Sequence, residues 1–266
     1  MSSTRTQEEK ALAFRDLHEG DGFVLPNPWD AGSAKALAAL GFEALATTSS
    51  GFAFTLGRRD GDASLDQVVE HLRALDAATD LPVSADLENG YGSAPEDAAT
   101  AVSRAAEAGA VGGSIEDFGP EDGIYELGHA RERIAAAVGA AAGTGFGFTL
   151  TARAENHIRG NPDLDDTIAR LRAYEEAGAD VLYAPGLASP EQIRTVCEAV
   201  SKPVNVLALP NLSLGQVFAA GAQRVSLGGS LAWVAVDGLV AAATAIRDQG
   251  DLSSLAISDE TNRLLG

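Results

Sequence analysis

The sequence predicts an α/β chain folded as a (β/α)8 TIM barrel, on three observations. Eight short β-rich apolar runs recur along the chain, alanine-rich helical segments fill the intervals, and glycines close several of those segments just before the next run. The runs lie near Phe23, Ala44, Pro82, Gly113, Phe148, Val181, Val204 and Arg224, between 20 and 38 residues apart. That spacing suits a crossover helix and its loops each time. Gly41, Gly109, Gly178 and Gly221 stand where a helix end turns left-handed. A doubly wound open sheet is the architectural alternative.

Taken in order, the elements divide the polar residues unevenly. Residues up to about Gly20 (TQEEKALAFRDLHEG) are expected to form an extra helix against the barrel bottom. Strand one ends in LPNPWDAGSA, with Asn27, Trp29 and Asp30; strand two ends in ATTSSGF, with hydroxyls from Thr47 to Ser50 and then Gly51. The loop after it, FTLGRRDGD, carries Asp60. Strand three ends in VSADLENGYG, strand four in GGSIED and strand five in TLTARAEN. The tail after about Gly238 reads as helix, turn and a short helix ending at Leu265, so residues 1–266 are expected to form one barrel flanked by about 1–20 and about 239–266.

Composition narrows the function classes. With 45% apolar and 21% charged residues, the chain of 266 can bury a real core. Its formal net charge of -19, with no basic patch, argues against nucleic acid and anionic membrane partners. No apolar run reaches the roughly 18 residues of a membrane helix, and MSSTRTQEEK lacks a leader's hydrophobic segment, so a cytoplasmic protein is expected. One cysteine, Cys197, can make neither an internal disulfide nor a multi-thiolate metal site and reads as a buried helix residue. Lys10, Lys35 and Lys202 are the only lysines, and none stands at a strand's C-terminal end, which argues against a Schiff-base aldolase.

Barrel enzymes carry their chemistry at the C-terminal strand ends. In VSADLENGYG the alternation of side chains puts Ser84, Asp86 and Glu88 on one face. Glu116 arrives from strand four and Asp60 from the loop above. Crowded carboxylates repel unless a proton or cation intervenes, and oxygen ligands without a His-x-His pair favour Mg2+ or Mn2+ over Zn2+. Arg153 needs a counter-charge, for which a substrate carboxylate or enolate and a structural bridge to Glu116 or Glu155 are both candidates. The TTSSGF turn offers amides and hydroxyls to a carboxylate or phosphate, or is a plain polar turn. Trp29 is placed to wall the pocket and Trp233 to pack. His18 and His71 are expected to face solvent, while His129 and His157 could reach the mouth. Gly228 and Gly229, after strand eight, raise the reading of a phosphate-binding barrel.

Together, PNPWDAGSA, TTSSGF, GRRDG, ADLENGYG, SIED, TARAE and LALPNLSLGQVFAAGAQRVSLGG resemble, over nearly the whole chain, the isocitrate lyase and phosphoenolpyruvate mutase superfamily. The resemblance implies a phosphoenolpyruvate/pyruvate-binding barrel, a Mg2+ ion and a small 2-oxo or 2-hydroxy acid whose C–C or P–C bond changes through an enolate-like species. It also implies a homo-oligomer, dimer or tetramer, with C-terminal helices exchanged between barrels. By motif, Asp86 resembles the direct metal ligand, and Glu88, Glu116 and Asp60 resemble acids that hold the ion mainly through waters. Arg153 resembles the clamp on the oxo-acid oxygen; Ser50, Gly51 and Phe52 resemble the segment that holds the substrate carboxylate.

Two departures shape the reading. The lyases' Lys-Lys-Cys-Gly-His loop is replaced here by FGPEDGIYELGHARER, without cysteine or lysine. The mutase branch's gating-loop lysine and asparagine, and its histidine after strand six, are also missing, where this chain reads YAPGLAS. A metal-dependent C–C lyase or decarboxylase is therefore expected, with the general acid open among Tyr91, Tyr125, Glu121, His129 and His157. P–C chemistry and a non-catalytic oxo-acid-binding barrel are the alternatives.

Overall fold

Eight parallel strands form the barrel: Phe23–Leu25, Leu45–Ala46, Val83–Asp86, Gly112–Glu116, Thr149–Arg153, Val181–Tyr183, Val204–Leu207 and Arg224–Ser226. Each pairs with the next from the second to the eighth, and the eighth pairs with the first. The seam between the first and second strands closes through a backbone bond, Ala46 N donating to Pro26 O at 3.0 Å. These observations come from a computed structural model describing residues 5–264. The open doubly wound sheet is excluded by this closure.

The side chain of Asn27 reinforces the seam. Its Nδ2 donates to Thr47 O at 2.9 Å, and its Oδ1 accepts from the amides of Leu227 and Gly228, both at 2.9 Å. One buried amide thus joins the ends of strands one, two and eight.

Helices follow the strands at Ala31–Ala39, Leu65–Ala78, Pro95–Glu107, Leu127–Gly143, Leu164–Glu176, Pro190–Ala199, Leu214–Ala219 and Ser230–Gln249. Local chemistry starts several of them: Asp30, Ser64 and Ser213 accept at their N-termini in reciprocal capping boxes. Gly178 and Gly221 turn the chain back at φ 102° and 105°, the conformation their positions require. The main core lies between barrel and helices, with Leu87, Ile115, Leu150, Leu171 and Leu182 fully buried.

An N-terminal helix, Gln7–Leu17, packs against the first strands of the barrel. Phe14 packs with Phe23, Leu25, Ala44 and Val111, and a Cβ on Gly112 would lie 2.8 Å from the Phe14 ring. Here the reading of His18 is corrected. It stacks edge-on between Phe14 and Phe23, with Nδ1 on Phe14 O at 2.8 Å and Nε2 on Arg224 Nη1 at 3.1 Å. His71 is likewise buried, stacked on Phe52 at 4.1 Å. Both sit in charged helical stretches, but each occupies the inward-facing position of its turn.

The helix expected after about Gly238 starts at Ser230, because the barrel's own eighth helix runs on into the tail. A 3-10 turn at Ser253–Leu255 and a helix at Asp259–Leu264 follow; Leu265 lies outside the described residues. Contrary to the expectation of no membrane-length segment, Ser230–Gln249 qualifies by length and composition. Asp237 and Gly238 interrupt its apolar run, so a count of uninterrupted residues passes over it. Trp233, Val234, Leu239 and Val240 are exposed on it.

Candidate active site

The third strand ends at Asp86, and three neighbours orient this residue. Asp86 N donates to Thr47 Oγ1 at 2.7 Å, Asp86 Oδ2 accepts from Ser49 N at 3.1 Å, and Oδ1 accepts from Glu88 N at 3.4 Å. The alternation expected to put Glu88 on the face of Ser84 and Asp86 stops at Asp86. The chain leaves the extended form after Asp86, and Glu88 and Tyr91 take φ of 49° and 64°. They are the only non-glycine residues with positive φ among those described, a costly backbone held where the site lies. Glu88 still reaches the mouth, delivered by a turn rather than by the pleat.

Register brings the next two groups together, since Glu116 and Arg153 are Cα partners on strands four and five. Arg153 Nη1 lies 3.3 Å from Glu116 Oε2 and 4.0 Å from Asp86 Oδ1, and its Nε donates to Glu155 Oε1. Glu155 Oε2 accepts from Arg159 Nε at 3.0 Å, and Arg159 Nη2 lies 3.8 Å from Glu116 Oε1. Two guanidinium groups and two carboxylates therefore form a closed ring. The structural bridge considered for Arg153 is present, to Glu116 and to Glu155, and the residue also lines the mouth.

Above this ring opens a cavity of about 340 Å3, lined by Ser49, Asp60, Glu88, Glu116, Arg153 and Arg159 among others. Below it, inside the barrel, a space of about 60 Å3 is bounded by Asp86, Arg153, Ser84 and Arg224. Burial pushes the Glu88 carboxyl up to about 8, helped by the charges of Asp86 and Asp60. Burial also raises Glu116 well above the carboxylate range, with Glu155 and Asp86 adding to it against the pull of Arg153 and Arg159. The mouth thus holds more negative potential than its cations offset.

An all-oxygen set in that state suits a hard divalent cation. Among the described residues no three acidic, His or Cys side chains converge into a finished ligand shell. Oxygen ligands of this kind would hold such an ion through carboxylates and retained water. Asp60, exposed on its loop, lines the same cavity.

The Thr47–Ser50 hydroxyls divide their work. Thr48 caps the helix Ser49–Thr55, its Oγ1 accepting from Gly51 N at 3.3 Å. Ser50 Oγ accepts from the Trp233 indole at 3.1 Å, so its own proton is free to donate elsewhere. The Phe52 ring points into the core against His71. Trp29 does not wall either cavity: a Cβ on Gly51 would lie 3.0 Å from Trp29 Cβ, so the tryptophan backs this segment from outside. Trp233, expected to pack, is 47% exposed and reaches the site through Ser50. Cys197, expected to be buried, is half-buried in its helix.

The five acid candidates separate by position. The Tyr91 hydroxyl donates to Glu88 Oε1 at 3.4 Å, and Glu121 lines a neighbouring groove of about 650 Å3 that also touches Glu88. Tyr125 Oη accepts from Asn89 Nδ2 at 3.1 Å, His129 Nε2 bonds Ser93 O at 2.8 Å, and His157 Nδ1 pairs with Thr167 at 3.4 Å. Within the FGPEDGIYELG stretch, Phe118–Gly119 and Gly123–Ile124 form a small antiparallel hairpin. The amides of Leu227 and Gly228 are spent on Asn27, which removes donors from the phosphate reading of the Gly228–Gly229 pair.

Sequence reasoning passed over the residues that hold this arrangement. Asp117, 2% exposed, accepts from Glu155 N at 2.7 Å, from Arg170 Nη1 at 3.0 Å and from the Tyr174 hydroxyl. Arg159 stacks over the Phe118 ring at 3.8 Å. The four-residue spacing of Glu155 and Arg159 was the available signal for their pairing.

Comparison with known proteins places these features. Residues 14–247 match the family model described as phosphoenolpyruvate phosphomutase. A solved structure of a putative lyase/mutase from Burkholderia cenocepacia superposes with a TM-score of 0.93 at 51% identity, covering 97% of this chain and 95% of that one. An uncharacterized protein of Mycobacterium tuberculosis is 34% identical over 90% of both chains. The oxaloacetate decarboxylase of Bradyrhizobium diazoefficiens is 30% identical over 84% of this chain and 78% of its own. The 2-methylisocitrate lyase of Halalkalibacterium halodurans is 29% identical over 75% of this chain and 68% of its own.

Proposed function

This chain belongs to the phosphoenolpyruvate phosphomutase family, and from that membership we propose a divalent-metal-dependent carbon–carbon lyase or decarboxylase of a small 2-oxo or 2-hydroxy dicarboxylic acid. One observation carries the reading: Arg153, register-paired with Glu116 and 4.0 Å from Asp86, brings a guanidinium and a carboxylate set to one mouth. The relatives named lyase and decarboxylase support the reaction class.

In this reading Asp86 holds Mg2+ or Mn2+ directly, and Glu88, Glu116 and Asp60 hold its water shell. When bound, the ion supplies a Lewis acid beside the oxygen on which negative charge develops. Arg153 donates to the same oxygen with its fork already oriented by Glu155 and Glu116, so little reorganisation is needed as the charge grows. The Ser50 hydroxyl and the Gly51–Phe52 segment hold the carboxylate next to the oxo or hydroxy group, which the product retains. Cleavage leaves its electron pair on an enolate, which takes a proton from water in the open mouth; Tyr91 is the hydroxyl nearest the carboxylates.

We also infer a cytoplasmic homo-oligomer. The exposed apolar residues of Ser230–Gln249 and the exposed Leu252, Leu255 and Ile257 that follow form the surface for it. No basic stretch on this acidic chain favours a nucleic acid or anionic membrane partner.

Pyruvate or glyoxylate release from oxaloacetate, isocitrate, 2-methylisocitrate, alkylmalates and phosphonopyruvate tests the reading, with Mg2+ or a chelator, for wild type and Asp86→Ala. We expect metal-dependent release from one carbon diacid, reduced at least about 100-fold in the variant. Activity that survives chelation overturns it, consumption of phosphonopyruvate alone selects P–C chemistry, and binding without turnover selects a binding barrel.

A further inference from the structure

Arg153 and Arg159 are the two cations lining the mouth, and they differ in how far their charge is committed. Arg153 is held by Glu116 and Glu155 and approached by Asp86, with its side chain 17% exposed. The Arg159 side chain is 36% exposed; Nε bonds Glu155, while Nη2 stands 3.8 Å from Glu116, beyond hydrogen-bond reach. Neither terminal nitrogen of Arg159 has a hydrogen-bond partner among the described residues. Its guanidinium plane is nevertheless fixed, stacked at 3.8 Å over Phe118 on the hairpin. A guanidinium held by its Nε edge and one face, with its terminal fork open to a cavity, is prepared for a planar anion.

The two groups also stand on opposite sides of the Glu116 carboxylate, which presents Oε2 to Arg153 and Oε1 to Arg159. Two guanidinium groups flanking one carboxylate offer a short diacid a cation for each end. The other charged groups lining this cavity are Asp60, Glu88 and Glu116, which would repel a second carboxylate anywhere but beside Arg159. In the adjoining groove the charged lining is wholly acidic, with Asp66, Asp97, Glu121 and Asp122, so a longer polyacid is disfavoured there.

We propose that Arg159 receives the second carboxylate of the substrate, the one remote from the 2-oxo or 2-hydroxy group, and so selects short diacids over 2-oxo monoacids. The proposal rests on the lyase reading above for which end of the acid meets Arg153. Arg159 is a specificity residue in this assignment, and Arg153 serves the oxo-acid end.

The test compares wild type, Arg159→Gln and Arg159→Lys in the presence of Mg2+. It measures turnover of oxaloacetate, and calorimetric binding of pyruvate and of succinate, a diacid without the oxo group. In Arg159→Gln we expect KM for oxaloacetate and Kd for succinate to rise at least tenfold, kcat to fall less than threefold, and pyruvate binding to stay within twofold. Arg159→Lys should recover part of the diacid affinity. Equal losses for pyruvate and succinate would overturn the proposal, showing that Arg159 acts through Glu155 on Arg153; unchanged diacid affinity would overturn it too. Arg159-dependent succinate binding by a wild type that turns over no acid would sink the lyase reading and keep the diacid assignment. Wild-type protein that binds none of the three acids overturns both.

Discussion

The Tyr91 hydroxyl meets Glu88 Oε1 across 3.4 Å, and both residues hold a left-handed backbone to make the contact, with φ of 64° and 49°. Burial first, and then the charges of Glu88 and Asp86, push the tyrosine hydroxyl upward, so it stays a proton donor. The contact therefore orients one acid of the mouth by a hydroxyl that keeps its proton near neutrality.

Tyr91→Phe keeps the ring and removes this bond. With the Glu88 carboxyl pushed up to about 8, the hydrogen bond is worth about 0.5–1.5 kcal/mol near neutrality, so kcat/KM should fall roughly two- to tenfold. The melting temperature should move by only a few degrees. Steady-state kinetics and a thermal melt on the same preparation check both, and an unchanged kcat/KM would show that the hydroxyl does not hold Glu88 in its working position.

Asp117 sits beneath the site with three donors on it, among them the buried Arg170 guanidinium at 3.0 Å. Removing one partner of a buried pair strands the other, at a cost of about 3–5 kcal/mol. Asp117→Asn and Arg170→Gln should each lower the unfolding free energy on that scale, read by urea denaturation. The double variant should lose clearly less than the two together, because they share one interaction. Full additivity would mean that Asp117 and Arg170 act independently.

His18 and His71 should make the protein acid-sensitive. Burial, with Arg224 beside it, lowers His18 to about 3, and burial lowers His71 to about 4 although Asp30 opposes it. Both values lie below the ordinary value of roughly 6.5, so their stabilising effect is complete above that pH and is lost as the pH falls toward the folded values. Each histidine kept neutral contributes at most about 2 kcal/mol between pH 7 and pH 5. Glu88 has the opposite sign: raised to about 8, it favours the folded state in acid and loses that advantage as the pH climbs through 8. Denaturation of His18→Asn and His71→Asn across pH 5–8 separates these effects. Each variant should show a shallower loss toward acid than wild type, and a parallel curve would assign the acid sensitivity elsewhere.

Much of this was legible in the chain before its folding was known. All eight strands lie where apolar runs and glycine stops placed them, because period and helix-end chemistry are local. Asp86, Glu116 and Arg153 could be placed at strand ends for the same reason. Glu88 reached the mouth by a different route from the one alternation implied, since a positive φ at a glutamate leaves no compositional trace. Asp117 and Arg170 stand 53 residues apart, and Arg224 meets His18 across the barrel floor; pairings of that range depend on closure and not on neighbours. Trp29 lines neither cavity and Trp233 is exposed with its indole on Ser50, because a strand-end position does not say which side of a loop an indole will occupy.

The first and second strands meet through little more than the Ala46–Pro26 bond and the Asn27 side chain. Every other stave of the barrel is held by paired rungs, so slack in the wall gathers at this one joint. Thr47, whose carbonyl Asn27 grips, uses its own hydroxyl to take up the Asp86 amide at 2.7 Å. When the wall breathes, it breathes beside Asp86, and how well that carboxylate keeps its aim depends on a single asparagine acting as a hoop.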